Sequence, residues 1–252
     1  MVNKDPYVGY GSFWGRLEKK IQSDFICRPH ALQLAGEVFG RKVADIGCGE
    51  GYVSRILSNL GAKVIGIDVS PTLIEKAKQT ECRLKQGIEY HISDATQDMR
   101  PFIPEHSQDL AFSICVTPHL KYQEMVLSFR NTAQILKENG KLILAVPHPE
   151  RYKDKAQSNW WTCDYDFLPS GEDIAVPITL YTGQGASFKV IAYPHSREEY
   201  AKAIVESGFN IQTIIEPLAT GEDLEIFPKR WGKESELPFY IIYKLNKIEF
   251  VK

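Results

Sequence analysis

Between Arg41 and Ala145, five short apolar runs rich in β-branched residues, KVADIG, AKVIGID, IEYHIS, DLAFSIC and GKLILAV, alternate with segments of helical periodicity such as Tyr52 to Asn59 and Pro71 to Lys78. Strands separated by helices form right-handed βαβ units, so the pattern predicts an α/β fold with a parallel sheet covered on both faces. A doubly wound sheet of this kind takes its ligand at the carboxyl ends of the strands, beside the point where strand order reverses. The loops after each run are therefore where chemistry is expected.

The flanking segments extend this frame. Leu17, Ile21, Phe25, Leu32, Leu34, Ala35 and Val38 recur at mostly helical spacing, interrupted at Arg28-Pro29, which predicts two helices in an N-terminal cap over residues 1–40. The stretch HPERYKDKAQSNWWTCDYDFLPSGEDIAVP is rich in aromatics, prolines and acids without a clear period, and residues 148–195 are expected to be an insertion that lids the acceptor site. Ser196 with Glu199 has capping-box spacing and Gly208 stands at a helix stop, so a helix is predicted between them. FNIQTII and LPFYIIYKL follow as strands. A chain of 252 residues can bury one substantial core, and residues 1–252 are taken as a single domain.

Composition narrows the function. Thirty basic residues against 32 acidic ones give a net charge of −2, which offers no electrostatic footprint for nucleic acid or an anionic membrane. The five cysteines show no C-x-x-C pair and no Cys/His cluster of zinc spacing, so no metal is expected and the thiols read as reduced. MVNKDPYVGYGSFWG lacks the apolar core of a signal peptide and no run reaches the ~18 apolar residues of a membrane span, so the expected location is the cytoplasm.

The strand Val43-Ala44-Asp45-Ile46 runs into Gly47-Cys48-Gly49-Glu50-Gly51, a G-x-G-x-G turn that lets backbone pass close to a ligand. Dinucleotide sites prefer G-x-G-x-x-G; here the third glycine comes one place earlier and Asp45 stands two residues before the first, which suits a cationic ligand. Asp68 closes the next strand, where a carboxylate can accept both hydroxyls of a ribose. Asp94 closes the third and is followed by Ala95, placing a carboxylate and a backbone N–H where an adenine edge can bind.

DIGCGEG, GIDVS, SDA and LKENGKLILAVPHP resemble, in order and spacing, the motifs of class I methyltransferases over Arg41 to Pro149. The resemblance implies a Rossmann-like seven-stranded sheet, mostly parallel with an antiparallel last strand, carrying S-adenosylmethionine across its carboxyl edge. It puts the methionine end near Asp45 and the turn Gly47, Cys48 and Gly49, the ribose on Asp68, and the adenine by Val69, Asp94 and Ala95, with Ile114 contributing from the fourth strand. The family often has an Asn or an aromatic residue after that strand; here the segment reads Ser113-Ile114-Cys115-Val116-Thr117-Pro118-His119, which keeps a backbone contact but not a side-chain one.

Methyl transfer from a sulfonium is an in-line displacement, so the protein needs to align the reactants and exclude water. A hydroxyl or ammonium acceptor also needs a base, and histidine suits neutral pH. His119 follows the fourth strand, His148 the fifth, and His195 enters from the inserted lid; these are the candidate bases. Tyr10 and Trp14 near the N-terminus, with Trp160 and Tyr165 in the insertion, are candidates to wall the sulfonium and a small, partly apolar acceptor, to which His119 and His148 would also be close.

Two rivals share this sheet: a nicotinamide-dependent oxidoreductase, and a cofactor-binding homologue without turnover. Against the first stand the early third glycine and the placement of Tyr240 and Lys244, which repeat a Y-x-x-x-K spacing but in a strand, where they lie about 13 Å apart.

Overall fold

The computed structural model describes residues 21–152, 161–163, 173–181, 187–219 and 237–248, with positions 5, 17 and 19. Two helices, α1 (Gln22–Phe25) and α2 (Cys27–Ala35), lead into β1 (Lys42–Ile46), α3 (Tyr52–Asn59), β2 (Lys63–Asp68), α4 (Pro71–Leu84), β3 (Glu89–Ile92) and β4 (Gln108–Ile114). α5 (Tyr122–Ile135) and β5 (Leu136–Pro147) follow, then three short strands, β6 (Trp161–Cys163), β7 (Val176–Tyr181) and β8 (Ser187–Ala192), and finally α6 (Arg197–Glu206), β9 (Phe209–Ile215) and β10 (Tyr240–Lys247).

Seven strands form one sheet in the order β3-β2-β1-β4-β5-β10-β9. β1 pairs in parallel with β2 on one side and β4 on the other, so strand order reverses at β1. β10 runs antiparallel to both β5 and β9. Ile46 lies level with Ile67 and with Ser113, which brings the carboxyl ends of β1, β2 and β4 to one rim.

Alternation along the strands explains the two-sided core. Val43, Phe112, Ile143 and Ile242 pack with Ile26, Ala31, Leu57 and Ile74 on one face. Their immediate neighbours Ala44, Ala111, Leu144 and Tyr243 pack with Met125, Phe129, Tyr200 and Ile204 on the other. A strand buried on both faces reads as continuously apolar, as DLAFSI and KLILAV do.

Two expectations change on contact with the structure. The break between the first helices falls at Ile26, whereas Arg28 and Pro29 sit inside the first turn of α2. Proline is tolerated there because the first-turn N–H groups have no intrahelical partner to lose. The inserted segment, which shows no period in sequence, forms an antiparallel sheet in the order β6-β7-β8. It joins the main sheet at the turn after β4, where Tyr193 donates its N–H to the Pro118 carbonyl.

Candidate active site

The rim is built first by the glycine turn. Gly47, Gly49 and Gly51 all have positive φ, at 68°, 58° and 83°. A Cβ on Gly47 would lie 2.3 Å from Val116 Cγ2, so the loop after β4 closes directly on this turn. On Gly49 the nearest atom among the described residues would be Leu73 Cδ1 at 4.0 Å, so no described side chain crowds that part of the turn. Backbone can thus approach a ligand there without a side chain intervening.

Asp45 and Asp68 flank the turn. Asp45 is buried and takes the Ser54 hydroxyl at 2.6 Å. Desolvation pushes its carboxyl up to about 6 against that hydrogen bond and the nearby Arg28 guanidinium, and the charge of Asp68 adds to the rise. Asp68 accepts the Gly49 N–H at 2.8 Å through one oxygen and the Ser70 N–H at 2.8 Å through the other. Desolvation still pushes it up to about 6. Two desolvated acids beside a glycine turn fit a group that brings positive charge and hydroxyls. They fit S-adenosylmethionine, whose ribose hydroxyls a carboxylate can accept.

Val69 lies between Asp68 and the N-cap Ser70 of α4, whose hydroxyl accepts the Leu73 N–H. Asp94 follows β3 and folds its carboxylate onto the Thr96 N–H at 2.8 Å and the Thr96 hydroxyl at 2.7 Å. The Ala95 carbonyl accepts from Asn131 at 3.0 Å, which ties this loop to α5. Cys48 is buried in the glycine turn with its N–H on the Ile67 carbonyl, and Ile114 is the last residue of β4. The cofactor candidates named from sequence therefore share one rim.

The histidines fare differently. His119 sits in a 3-10 turn, Thr117–His119, and its Nδ1 meets the Ile191 carbonyl of β8 at 3.1 Å. A carbonyl can only accept, so Nδ1 carries the proton and Nε2 is the basic nitrogen. Burial holds its pKa below the ordinary histidine value, which keeps it neutral near pH 7. His195, just ahead of α6, places Nε2 on the Leu120 carbonyl at 2.8 Å and its ring edge on Tyr200, so it ties that helix to the same turn.

His148 is buried with both ring nitrogens engaged. Nδ1 accepts the Glu150 N–H at 3.2 Å, and Nε2 faces Arg197 at 2.6 Å and Glu216 at 3.3 Å. Burial and the Arg197 charge lower its pKa. It sits in an ion-pair cluster linking β5, α6 and β9, in which Arg197 binds both oxygens of Glu216 at 2.6 and 2.9 Å. Tyr10, Trp14, Trp160 and Tyr165 lie outside the described residues.

Sequence reasoning did not single out Arg28, Ser54 or Val116. Arg28 projects from α2 toward Asp45, with its guanidinium on Asp24 at 2.8 Å and 5.9 Å from the Tyr52 ring. Its Nε has no hydrogen-bond partner. The i,i+4 spacing to Asp24 marks only a local ion pair, while its approach to Asp45 and Tyr52 comes from β1 and α3. Ser54 had a weak signal: a hydroxyl in the first turn after a glycine loop faces back onto the preceding strand.

Among the described residues no cluster of three or more metal-ligating side chains occurs, and no helix is long and apolar enough to cross a membrane.

Residues 44–144 match the family described as "Methyltransferase domain". A demethylmenaquinone methyltransferase of Tropheryma whipplei (strain Twist) is 29% identical over 126 residues, 50% of each chain. A ubiquinone biosynthesis O-methyltransferase of Pelagibacter ubique is 32% identical over 113 residues, 41% of each. The similarity thus spans about half the length, or less, of these curated relatives. A solved S-adenosylmethionine-dependent methyltransferase from Mesorhizobium loti superposes with TM-score 0.65 at 20% identity, over 87% of this chain and 96% of that one. One from Listeria monocytogenes gives 0.62 at 19%, over 88% and 97%. At such identities the structural likeness concerns the fold, while the family match covers the glycine turn and the three strand-end acids. Residues 44–144, which carry the glycine turn and the three strand-end acids, thus match the methyltransferase domain family, and the fold is similar to that of solved S-adenosylmethionine-dependent methyltransferases.

Proposed function

We propose that the protein methylates a hydroxyl or amine of a small, partly apolar molecule, with His119 as the base that takes the acceptor's proton. When bound, the cofactor supplies an electrophilic methyl group on a sulfonium. The observation that carries the reading is the paired, desolvated Asp45 and Asp68 beside a glycine turn with room for backbone contact.

Asp68 would accept the ribose hydroxyls, and the Val69 and Asp94–Ala95 segment would border the adenine. Asp45 would face the methionine end, with Arg28 across from it as a donor for that end's carboxylate. Gly47, Cys48 and Gly49 offer backbone, and Ile114 lines the floor. The acceptor would then approach past the turn Thr117–His119, which the small sheet and His195 brace. His119 fits the base role better than His148, because it stands in the turn after β4 with Nδ1 fixed on the Ile191 carbonyl, whereas His148 is held in the cluster of Arg197 and Glu216. The quinone-biosynthetic names of the relatives support a small ring-bearing acceptor. The inserted segment 148–195 and the cap 1–40 would close the site from above.

Calorimetric titration with S-adenosylhomocysteine and with NADH tests the cofactor: the first binds and the second does not, and the reverse would sink the proposal. For the base, His119→Ala should leave S-adenosylhomocysteine affinity within about twofold while lowering turnover of a hydroxyl or amine acceptor by on the order of 10²-fold. Undiminished turnover would remove His119.

A further inference from the structure

Methyl transfer as proposed leaves one buried donor at the carboxyl edge unused. Gln22 opens α1 and is 3% exposed, and its side-chain nitrogen Nε2 has no hydrogen-bond partner among the described residues. The other corner of the amide is engaged, because Oε1 accepts the Tyr240 hydroxyl at 3.3 Å. The backbone is fixed as well: the Gln22 carbonyl takes the N–H of Ile26, which is fully buried in the core at the start of α2. The amide is thus held from two sides with its N–H groups unspent. A buried N–H without an accepting oxygen is unfavourable until a ligand supplies one.

Sheet order places this amide along the rim. Tyr240 is the first residue of β10 and lies level with Pro147, the last residue of β5. β10 stands two strands beyond β4, about 10 Å across the sheet. α2, which continues from α1, packs on β5 and β10. The Gln22 amide therefore belongs to the half of the rim away from β2 and β3. With the ribose and adenine placed over β2 and β3, the molecule to be methylated has to enter from this other half. Charge nearby is balanced, since Arg28 is paired with Asp24 at 2.8 Å, so the amide suits a neutral oxygen rather than an anion.

We propose that Gln22 Nε2 is a specificity-determining donor that binds a carbonyl oxygen of the molecule to be methylated, with Tyr240 as the positioning residue that orients the amide. The inference rests on the methyl-transfer reading of the site. The carbonyl anchors the molecule while its hydroxyl or amine is presented to the methyl group, and no proton moves at Gln22. A buried site built around such a bond rejects an analogue without the matching oxygen, because the donor then stays desolvated and unpaired.

The probes are the meta and para isomers of hydroxyacetophenone, each matched with the ethylphenol of the same substitution, in which a methylene replaces the carbonyl. Titrated into the full-length protein saturated with S-adenosylhomocysteine, at least one ketone should bind on the order of tenfold more tightly than its ethyl partner. Gln22→Met, which keeps the length of the side chain without an N–H, should erase that preference. Gln22→Glu, which keeps an oxygen for the Tyr240 hydroxyl, should erase it too, whereas a merely structural role would survive this substitution. Both variants should keep the S-adenosylhomocysteine affinity of the unaltered chain, which verifies their fold. No ketone preference in the unaltered protein, or one that persists in both variants, would overturn the assignment and leave the cofactor site standing. Variants that lose affinity for S-adenosylhomocysteine but not for 5′-methylthioadenosine, which lacks the amino-acid end, would overturn it by giving the amide to the cofactor. An unaltered protein that binds no S-adenosylhomocysteine would sink the methyl-transfer reading and this inference with it.

Discussion

Desolvation of a carboxylate has a measurable signature, and Asp45 and Asp68 should both show it. Each is pushed up to about 6, against an ordinary value near 4, so the ligand-free folded chain holds these protons more tightly than the unfolded chain does. Between about pH 4 and pH 6 the folded state therefore binds more protons, and the stability these two groups contribute falls as pH rises through that window. A cationic ligand reverses the preference, because it needs the ionised form. S-adenosylmethionine affinity should thus be flat above about pH 7 and fall below pH 6, by up to about tenfold per pH unit for each carboxylate required. Calorimetry across that range, in buffers of differing ionisation enthalpy, should also detect proton uptake or release. Asp68→Ala should weaken binding by about 1–3 kcal/mol and shallow the slope; an unaltered affinity would refute its role. The aspartates were legible in the sequence because each stands where a β-rich run ends. Arg28 was not, because nothing in CRPHALQLA distinguishes a cation aimed at another element from one facing water.

At the scale of elements, local chemistry decided most boundaries. Ser196 caps α6 by accepting the Glu199 N–H at 3.1 Å, while Glu199 returns its carboxylate to the Ser196 N–H at 2.7 Å. α6 carries Tyr200 into the second core face, where its hydroxyl meets the Thr117 hydroxyl at 3.2 Å beside the turn holding His119. Ser196→Ala should cost about 1 kcal/mol, read as a lower urea midpoint with unchanged slope. The capping box was readable because it depends on residues three apart. The strands β6, β7 and β8 were not, because a small sheet held by pairing and by docking on Pro118 and His119 needs little periodicity of its own. Pro29 misled for the opposite reason: the rule against proline in helices does not apply in the first turn.

At the scale of the molecule, the rim is assembled from β1, β2, β4, the cap helix α2 and the docked small sheet, so a ligand that occupies it should stabilise the fold as a whole. At a hundred times its dissociation constant, S-adenosylhomocysteine should add about 2.7 kcal/mol. A thermal melt should then rise by several degrees, whereas NADH at equal concentration should leave it in place. Failure of the midpoint to move with a nucleoside that calorimetry shows to bind would mean that the rim is not part of the cooperative unit.

The sequence by itself determined the sheet, because the period of its apolar residues switches between strand and helix and each run is buried on two faces. It determined the glycine turn and the acids too, because positive φ and strand ends leave local marks. Only the tertiary structure decided which carbonyl fixes His119 and which arginine stands near Asp45. Those outcomes depend on partners far apart in the chain, such as His119 with Ile191 and Arg28 with Asp45, and a spacing rule reports only on neighbours.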